Sequence, residues 1–511
     1  MRSLLLLACT LHLLGVEGAP FERSPSSLPW LHSYHPSGHK VQGEGLVSFE
    51  ILRGGATGPS AATAAPLSLK SLETRSSIEV RGGQRKLSVA WPVMTAFLYY
   101  LALAFTIPVL PKIVNGLMGE GTVTGGSATL YGLLTSIDAG FTLLTTKFHA
   151  TLSDTYGRKP FMLLSALGLG IGFCITGFSG KIWALMLAAA IDGCTSCMYS
   201  IAHASVIDVA EPEKLSEAFG LFQGLALGMA FMFGLPLGGI IGAKKGYIYP
   251  FIISISLCLL NALQVLLIMP ETLSTTKRAK KVDWANANPW GALQMISRSK
   301  LIAGVTICWM LMWVAHAGLQ INFINYTELK FAWTTAQSGA SLAMLGLLVA
   351  VLPKLIIPRL GLSGTICAVL PVYALSQLMI AVAPAGNSPT TTTLMYMGLA
   401  LSAVGTVSFP AMLAVLNQQV GDTESGAMQG AADTVKTLTT MVASPAMAGF
   451  FGYFISEKAP RKIIGANYYA GAAFALLAFI AAESTFRYHA RLGKRFNGKI
   501  PRQEFGFEAE L

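Results

Sequence analysis

Long runs of apolar residues recur along this chain from about residue 89 onward, each roughly 20 residues long. A helix of about 20 apolar residues is long enough to cross the ~30 Å hydrocarbon layer of a membrane. The pattern therefore predicts membrane-spanning helices joined by short polar loops. The predicted spans are 89–113, 129–150, 160–180, 182–208, 217–241, 247–269, 301–326, 336–357, 362–384, 391–416, 427–454 and 467–485.

A polar, basic stretch after the sixth predicted span divides the spans into two blocks of six. Such an arrangement is typical of transporters built from two structural repeats. The predicted fold class is an all-α membrane protein with twelve transmembrane helices in two six-helix halves. The predicted segments are a signal-peptide-like leader (1–18), a disordered or transit-like segment (19–88), the N-terminal half (89–273), a cytosolic linker (274–300), the C-terminal half (301–485) and a basic tail (486–511).

The N-terminal leader has the features of a secretory signal. Arg2 precedes an apolar stretch from Leu4 to Leu14, and small residues follow before residue 19. Residues 19–88 are rich in Ser, Pro, Gly and Ala and offer no apolar face, so we expect disorder up to about Gln84. Two localisations are compatible with this leader. One is a plastid envelope, reached through a bipartite leader with Ala19 to Phe21 as the cleavage region. The other is a secretory-pathway or plasma membrane.

Composition and charge support a membrane protein and argue against nucleic acid as a partner. Hydrophobic residues make up 53% of the 511 residues and charged residues only 12%, whereas soluble domains are about 25% charged. The net charge of +11 comes from basic residues in short loops, the linker and the tail. Under the positive-inside rule these loops, the linker and both termini should face the cytosol or its equivalent.

The loop after the second predicted span combines charged residues with residues that favour turns. Gly157 permits a tight turn, Asp154 can accept hydrogen bonds from helix amides or a guanidinium, and Pro160 can begin the next helix. One interpretation is a charged latch between moving helices, and the alternative is an ordinary solvated loop. The candidate gating residues are Asp154, Gly157, Arg158 and Lys159.

This loop resembles the signature loop of the major facilitator superfamily, in the branch of hippocampus-abundant-transcript proteins, tetracycline-efflux-like carriers and proton-coupled folate carriers. The resemblance implies the major facilitator fold and transport activity. It also implies that Asp154, Arg158 and Lys159 hold the two halves together on the cytosolic side in the outward-facing state. Further matching segments are Ile207 to Val209 with Glu211 and Glu213, Gly234 to Gly239, Pro270 to Leu273, Phe409 to Ala411 and Gly426 to Gly430.

Several positions depart from the pattern of proton-driven drug exporters. Ala150 replaces the usual first glycine of the loop, and Thr155 replaces a basic residue. The fourth predicted span has no intramembrane arginine, and Leu235 separates Gly234 from Pro236 in the fifth. These departures put drug/proton antiport in doubt, and symport or facilitated diffusion is then as well supported as antiport.

Ionisable residues inside the predicted spans are candidates for binding substrate or protons. A charge at the bilayer centre costs about 2.5–3.5 kcal/mol on insertion scales, so such residues normally face a bundle interior or an aqueous cavity. Asp138 and Asp192 have no basic neighbour within a helical turn, and we expect at least one of them to carry a coupling proton. Asp433 and Lys436 are three residues apart and either neutralise each other or leave Lys436 to attract an anionic substrate.

The seventh predicted span contributes aromatic and polar candidates. Trp309, Trp313, His316, Gln320 and Asn322 recur at helical spacing and either line a central cavity or form a packing stripe. We take Trp313 and His316 as substrate candidates.

The sequence predicts a secondary active transporter that moves a small organic solute by alternating access, with protons as candidate coupling ions. No ATP-binding loop is present, so a solute or ion gradient would supply the energy. No metal, cofactor or oligomer is predicted. The alternative is a transporter-like receptor or scaffold; a membrane-embedded enzyme is less favoured, because the membrane histidines are isolated from nucleophiles and metal ligands.

Overall fold

The computed structural model describes residues 88–118, 122–211, 215–276, 278–282, 289–420 and 425–495. The predicted leader, nearly all of the transit-like segment and the end of the basic tail lie outside these residues. Every regular element within the described ranges is helical.

Nine α-helices are described in the N-terminal half. They are α1 (Ala90–Thr106), α2 (Leu110–Leu117), α3 (Gly125–Tyr156), α4 (Lys159–Phe178), α5 (Ile182–Thr195), α6 (Met198–Val209), α7 (Leu215–Leu221), α8 (Ala230–Lys245) and α9 (Ile248–Leu263). Wider π turns at Phe222–Met229 and Gln264–Ile268 continue α7 and α9.

A 3-10 helix at Pro289–Arg298 lies in the linker, and six described α-helices follow it. They are α10 (Lys300–Phe331), α11 (Thr335–Val382), α12 (Pro389–Thr406), α13 (Ser408–Gln418), α14 (Ser425–Ile455) and α15 (Ala466–Arg495).

These helices agree with the predicted spans. Among the described residues, nine helices or continuous helix pairs are long and apolar enough to cross a membrane, and the bent pair α1 and α2 makes a tenth. Gly361, at φ +68°, divides α11 between the predicted spans 336–357 and 362–384. Helix α3 is 32 residues long and occupies the second predicted span, although its polar residues make it less apolar than the others.

Side-chain caps fix the starts of several helices. Thr124 and Ser127 form a reciprocal capping box at the start of α3, and Thr334 and Gln337 do the same for α11. Such caps satisfy amides that the first helical turn leaves without partners. The chain therefore enters both helices at defined residues.

Each half has its own apolar core. One buried cluster contains residues from Val93 to Met269, and another contains residues from Met295 to Ala482. A third cluster crosses the division, because Ala128 of α3 is buried with residues of the C-terminal half such as Leu319 and Phe451.

The two halves meet closely at the face opposite the linker. A Cβ atom added to Gly125 of α3 would lie 2.5 Å from the carbonyl oxygen of Gly452 on α14. Similarly, one added to Gly239 of α8 would lie 2.5 Å from the carbonyl oxygen of Thr335 on α11. Glycine permits this backbone-to-backbone approach, as at many membrane helix interfaces. The halves are thus closed at this face.

Candidate functional site

The predicted gating loop is a short turn between α3 and α4 that holds a network of charges. Gly157 ends α3 at φ +102°, a conformation that favours glycine, and Pro160 lies in the first turn of α4. Nη1 of Arg158 lies 2.6 Å from Oδ1 of Asp154, and Nε of Arg158 lies 2.9 Å from Oδ2 of Asp208 at the end of α6. Arg158 thereby joins the loop to α6.

Glu271, just after α9, fixes the same loop from the other side. Its carboxylate accepts hydrogen bonds from the backbone amides of Arg158, at 2.9 Å, and Lys159, at 3.2 Å. The side chain of Lys159 donates to the carbonyl of Leu266, and the amide of Ala279 in the linker donates to the carbonyl of Asp154. The loop, the end of α9 and the linker therefore form one connected network.

The charge on Arg158 is secured by this network. Burial opposes the charge, but the hydrogen bond and charge of Asp208, followed by those of Asp154, raise the pKa of the guanidinium above its usual value. Arg158 is 7% exposed. Among the described side chains, the Asp154 carboxylate bonds within the N-terminal half, and no described contact joins it to α14.

Asp138 and Asp192 lie together inside the N-terminal half. Asp138 on α3 and Asp192 on α5 are within electrostatic range of each other, and Tyr99 on α1 is near both. Both acids are half-buried, and Oδ1 of Asp192 has no hydrogen-bond partner among the described residues. The structure thus brings two predicted candidates into one pair without a described basic partner.

Asp433 and Lys436 of α14 belong to a second cluster, which spans both halves. Asp433 lies within electrostatic range of Lys436 and of Lys147 on α3. The ammonium nitrogen of Lys147 lies against α14, 2.6 Å from the position of a Cβ atom added to Gly430. Asp433 therefore interacts electrostatically with lysines of both halves, and not with Lys436 alone.

Trp313 and His316 of α10 line the C-terminal side of this cluster. The ammonium group of Lys436 lies 4.7 Å from the centroid of the Trp313 ring, a cation–π contact. His316 Nδ1 is 3.1 Å from the hydroxyl of Tyr373, and Phe409 packs against both Trp313 and His316. Trp313, His316, Asp433 and Lys436 are all half-buried.

The other residues of the α10 stripe do not share one environment. Trp309 is buried in the core of the C-terminal half, and Gln320 is exposed. Asn322 is buried and donates a hydrogen bond to the carbonyl of Met447 on α14. The stripe is thus divided among the core, a helix interface, the surroundings of Lys436 and the exposed surface.

Three residues of these clusters were not among the predicted site residues: Lys147, Tyr100 and Tyr199. Lys147 falls within the predicted span 129–150 but was not predicted as a site residue, and it lies inside α3, which continues to Tyr156. Tyr100 and Tyr199 lie near Asp433, and the hydroxyl of Tyr199 accepts a hydrogen bond from Gln223. The sequence signal for Lys147 was its position about two and a half turns before the end of the helix, because ionisable residues inside a span are often functional.

Polar side chains also join the two halves at the closed face. The ammonium group of Lys112 on α2 pairs with the carboxylate of Glu328 on α10. One turn deeper, the amide nitrogen of Asn115 donates to Asn325 at 3.3 Å. These residues lie at the ends of predicted spans, where polar residues are common.

A long chain of apolar helices in two halves, with charged clusters between the halves, defines a multi-pass membrane protein with the architecture of a two-repeat transporter. A sequence profile of the Major Facilitator Superfamily matches residues 93–444, so the chain belongs to that family. It is a membrane transporter and not an enzyme. The predicted family and fold class are confirmed.

Individual relatives agree with the predicted branch. The tetracycline resistance protein, class C, of Escherichia coli is 25% identical over 351 residues, covering 68% of this chain and 85% of the relative. The hippocampus abundant transcript 1 protein of Homo sapiens is 23% identical over 331 residues, covering 63% of this chain and 65% of the relative.

Solved structures show the same fold. The human organic anion transporter MFSD10 (TETRAN) superposes with a TM-score of 0.58 at 19% identity, covering 77% of this chain and 98% of that structure. The nucleoside transporter NupG superposes with a TM-score of 0.62 at 11% identity, covering 78% and 99%.

Proposed function

We propose that this protein is a secondary active transporter that moves a small organic solute by alternating access, with protons as the coupling ion. The pairing of Asp138 with Asp192 carries the proton part of the proposal. The solute would bind between the halves, and each change of state would expose the binding site to the opposite side of the membrane.

Two half-buried carboxylates within electrostatic range of each other favour binding of a proton. Full ionisation of both would place two like charges in a region of low dielectric constant, and one proton relieves that repulsion. No basic side chain among the described residues forms an ion pair with either acid. A proton can therefore bind when the pair is open to one side and leave when it is open to the other.

Transport in reconstituted vesicles tests the coupling. A flux screen across organic anions, sugars and drugs identifies a transported solute, and its accumulation is then measured with an imposed proton gradient. Asp138→Asn and Asp192→Asn should each reduce gradient-driven accumulation, while solute exchange without a gradient continues. Glu483→Gln is the control, because Glu483 pairs with Arg487 on α15. Coupling through the pair is wrong if both variants keep the pH dependence and accumulation of the unaltered protein.

The same screen separates a transporter from a receptor or scaffold. A transporter moves at least one solute of the screen across the vesicle membrane. A protein that binds a ligand in nanodiscs but moves none of the solutes in vesicles would instead support the receptor alternative.

The orientation remains the one predicted from the loop charges, with the linker and both termini on the cytosolic or equivalent side. Single cysteines at Ser274 and Gln503, in a version without other cysteines, should react with a membrane-impermeant reagent from the same side. Ser274 lies in the described part of the linker, whereas Gln503 lies outside the described residues. Labelling from opposite sides would contradict the predicted topology.

A further inference from the structure

Two lysines and one aspartate from opposite halves form the cross-half charge cluster: Lys147 of α3 with Asp433 and Lys436 of α14. Gly430 and Asp433 are one turn apart on α14, and the Lys147 ammonium lies against that turn. Lys436 continues the same face and covers the Trp313 ring. The cluster thus has a charged part, which joins the halves, and an aromatic wall on α10.

The charges in this cluster do not balance. One carboxylate faces two ammonium groups, and all three side chains are half-buried. A charge inside a membrane protein is costly unless it is paired or reaches water. The cluster therefore carries excess positive charge at the junction of the halves, where an anion would be favoured.

Further groups beside the cluster suit a ligand with an anionic group and a ring. The hydroxyl of Tyr199 accepts a hydrogen bond from Gln223 at 3.0 Å, which leaves its own hydrogen available to donate. Tyr199 and Tyr100 both lie near Asp433. Trp313 and Phe409, with ring centroids 4.6 Å apart, offer aromatic surface on the other side.

We propose that this cluster binds the carboxylate of an aromatic organic anion, which pairs with Lys147 and Lys436 while its ring packs against Trp313. Asp433 holds the two lysines in the absence of ligand and competes with the ligand for them. The inference rests on the proposed transport function and names the substrate class for it. Because the ligand would contact lysines of both halves, its binding would depend on their relative position, as alternating access requires.

Binding of simple probes to the full-length protein tests this site. The protein is placed in phosphatidylcholine nanodiscs, and tryptophan fluorescence and calorimetry follow titration with benzoate, phenylacetate and 2-naphthoate. Benzamide and benzylamine serve as the neutral and cationic counterparts of benzoate. At least one carboxylate should bind saturably, and the neutral and cationic probes should bind at least about tenfold more weakly, since they lose charge-assisted bonds to the lysines.

Substitutions then locate the bound anion. Lys147→Gln and Lys436→Gln should each weaken carboxylate binding about tenfold or more, whereas the control Lys245→Gln, an exposed lysine at the end of α8, should have no effect. Trp313→Phe should remove most of the fluorescence change. Asp433→Asn should strengthen binding severalfold, because it removes the competing carboxylate.

The outcomes separate this site from the transport proposal. The site is wrong if none of the three carboxylates binds, if benzamide or benzylamine binds as tightly as benzoate, or if Asp433→Asn abolishes binding in a folded protein. Probe selectivity is measured on the unaltered protein, so the test remains decisive if a variant does not fold. Carboxylate binding without any solute flux would contradict transport but support the anion site. Flux confined to neutral solutes would support transport but contradict the anion site.

Discussion

Lys112 on α2 and Glu328 on α10 form an ion pair that joins the two halves at the face opposite the linker. Asn115 and Asn325 repeat the contact one turn further along each helix. The spacing is three residues on both helices, so the two pairs form a ladder between antiparallel segments. Their side chains are partly or fully buried, where polar contacts are less screened by water than at the surface.

Removing one partner of this ion pair should favour the state that is open at this face. Lys112→Ala should destabilise the closed face by about 1 kcal/mol, which changes the ratio of the two states about fivefold. A cysteine at Ala128, which is 1% exposed and buried against the C-terminal half, reports the change through its rate of reaction with an impermeant maleimide. That rate should rise in a background without other cysteines.

The reciprocal exchange Lys112→Glu with Glu328→Lys should restore slow labelling. Lys462→Ala is the control, because Lys462 pairs with Glu457 in an exposed contact within the C-terminal half. Equal labelling rates in all variants would mean that the ion pair does not favour the closed face.

A second prediction concerns the glycines that bring α8 and α11 together. A Cβ atom added to Gly339 would lie 2.6 Å from the carbonyl oxygen of Leu235, so alanine must push the helices apart. Gly339→Ala should accelerate labelling of the cysteine placed at Ala128. It should also lower the free energy of unfolding by about 1–3 kcal/mol. Gly346→Ala, two turns further along α11 with no atom within 4 Å, should leave both properties nearly unchanged. Similar effects at the two glycines would show that close packing here does not hold the face shut.

The spans and their division into halves could be predicted because each rests on local composition. An apolar run identifies its own helix, and a polar, basic stretch identifies the linker. Even the break in α11 lies where the sequence separated two spans, at Gly361.

The partners of the charged residues could not be predicted in the same way. Lys147 comes within electrostatic range of Asp433 only because α3 packs along α14, and the sequence carries no signal for that proximity. Asp138 and Asp192 were identified as candidates singly, yet their proximity depends on the packing of α3 against α5. Sequence reasoning therefore found most of the ionisable groups but not the clusters that they form.

The last prediction distinguishes two acids that share Arg158. Asp208 is largely buried, with 14% of its side chain exposed, whereas 54% of the Asp154 side chain is exposed. Asp208→Asn should lower the free energy of unfolding by about 1.5–3 kcal/mol, because a buried guanidinium loses a charged partner. Asp154→Asn should change stability by less than about 1 kcal/mol, since the amide oxygen can still accept from Arg158.

Transport should instead be impaired more by Asp154→Asn than by Asp208→Asn when the two variants are compared at equal expression. If Asp154 serves as the predicted latch, Asp154→Asn slows solute flux severely in a folded protein, because only one of the two states would use its charge. The defect should not vary between about pH 5 and pH 8, since the raised pKa keeps Arg158 charged throughout that range. Flux and thermal unfolding of both variants in vesicles provide the measurements. Normal flux with Asp154→Asn would leave Asp154 as part of a static loop, held with Arg158 and Glu271 for structural reasons alone.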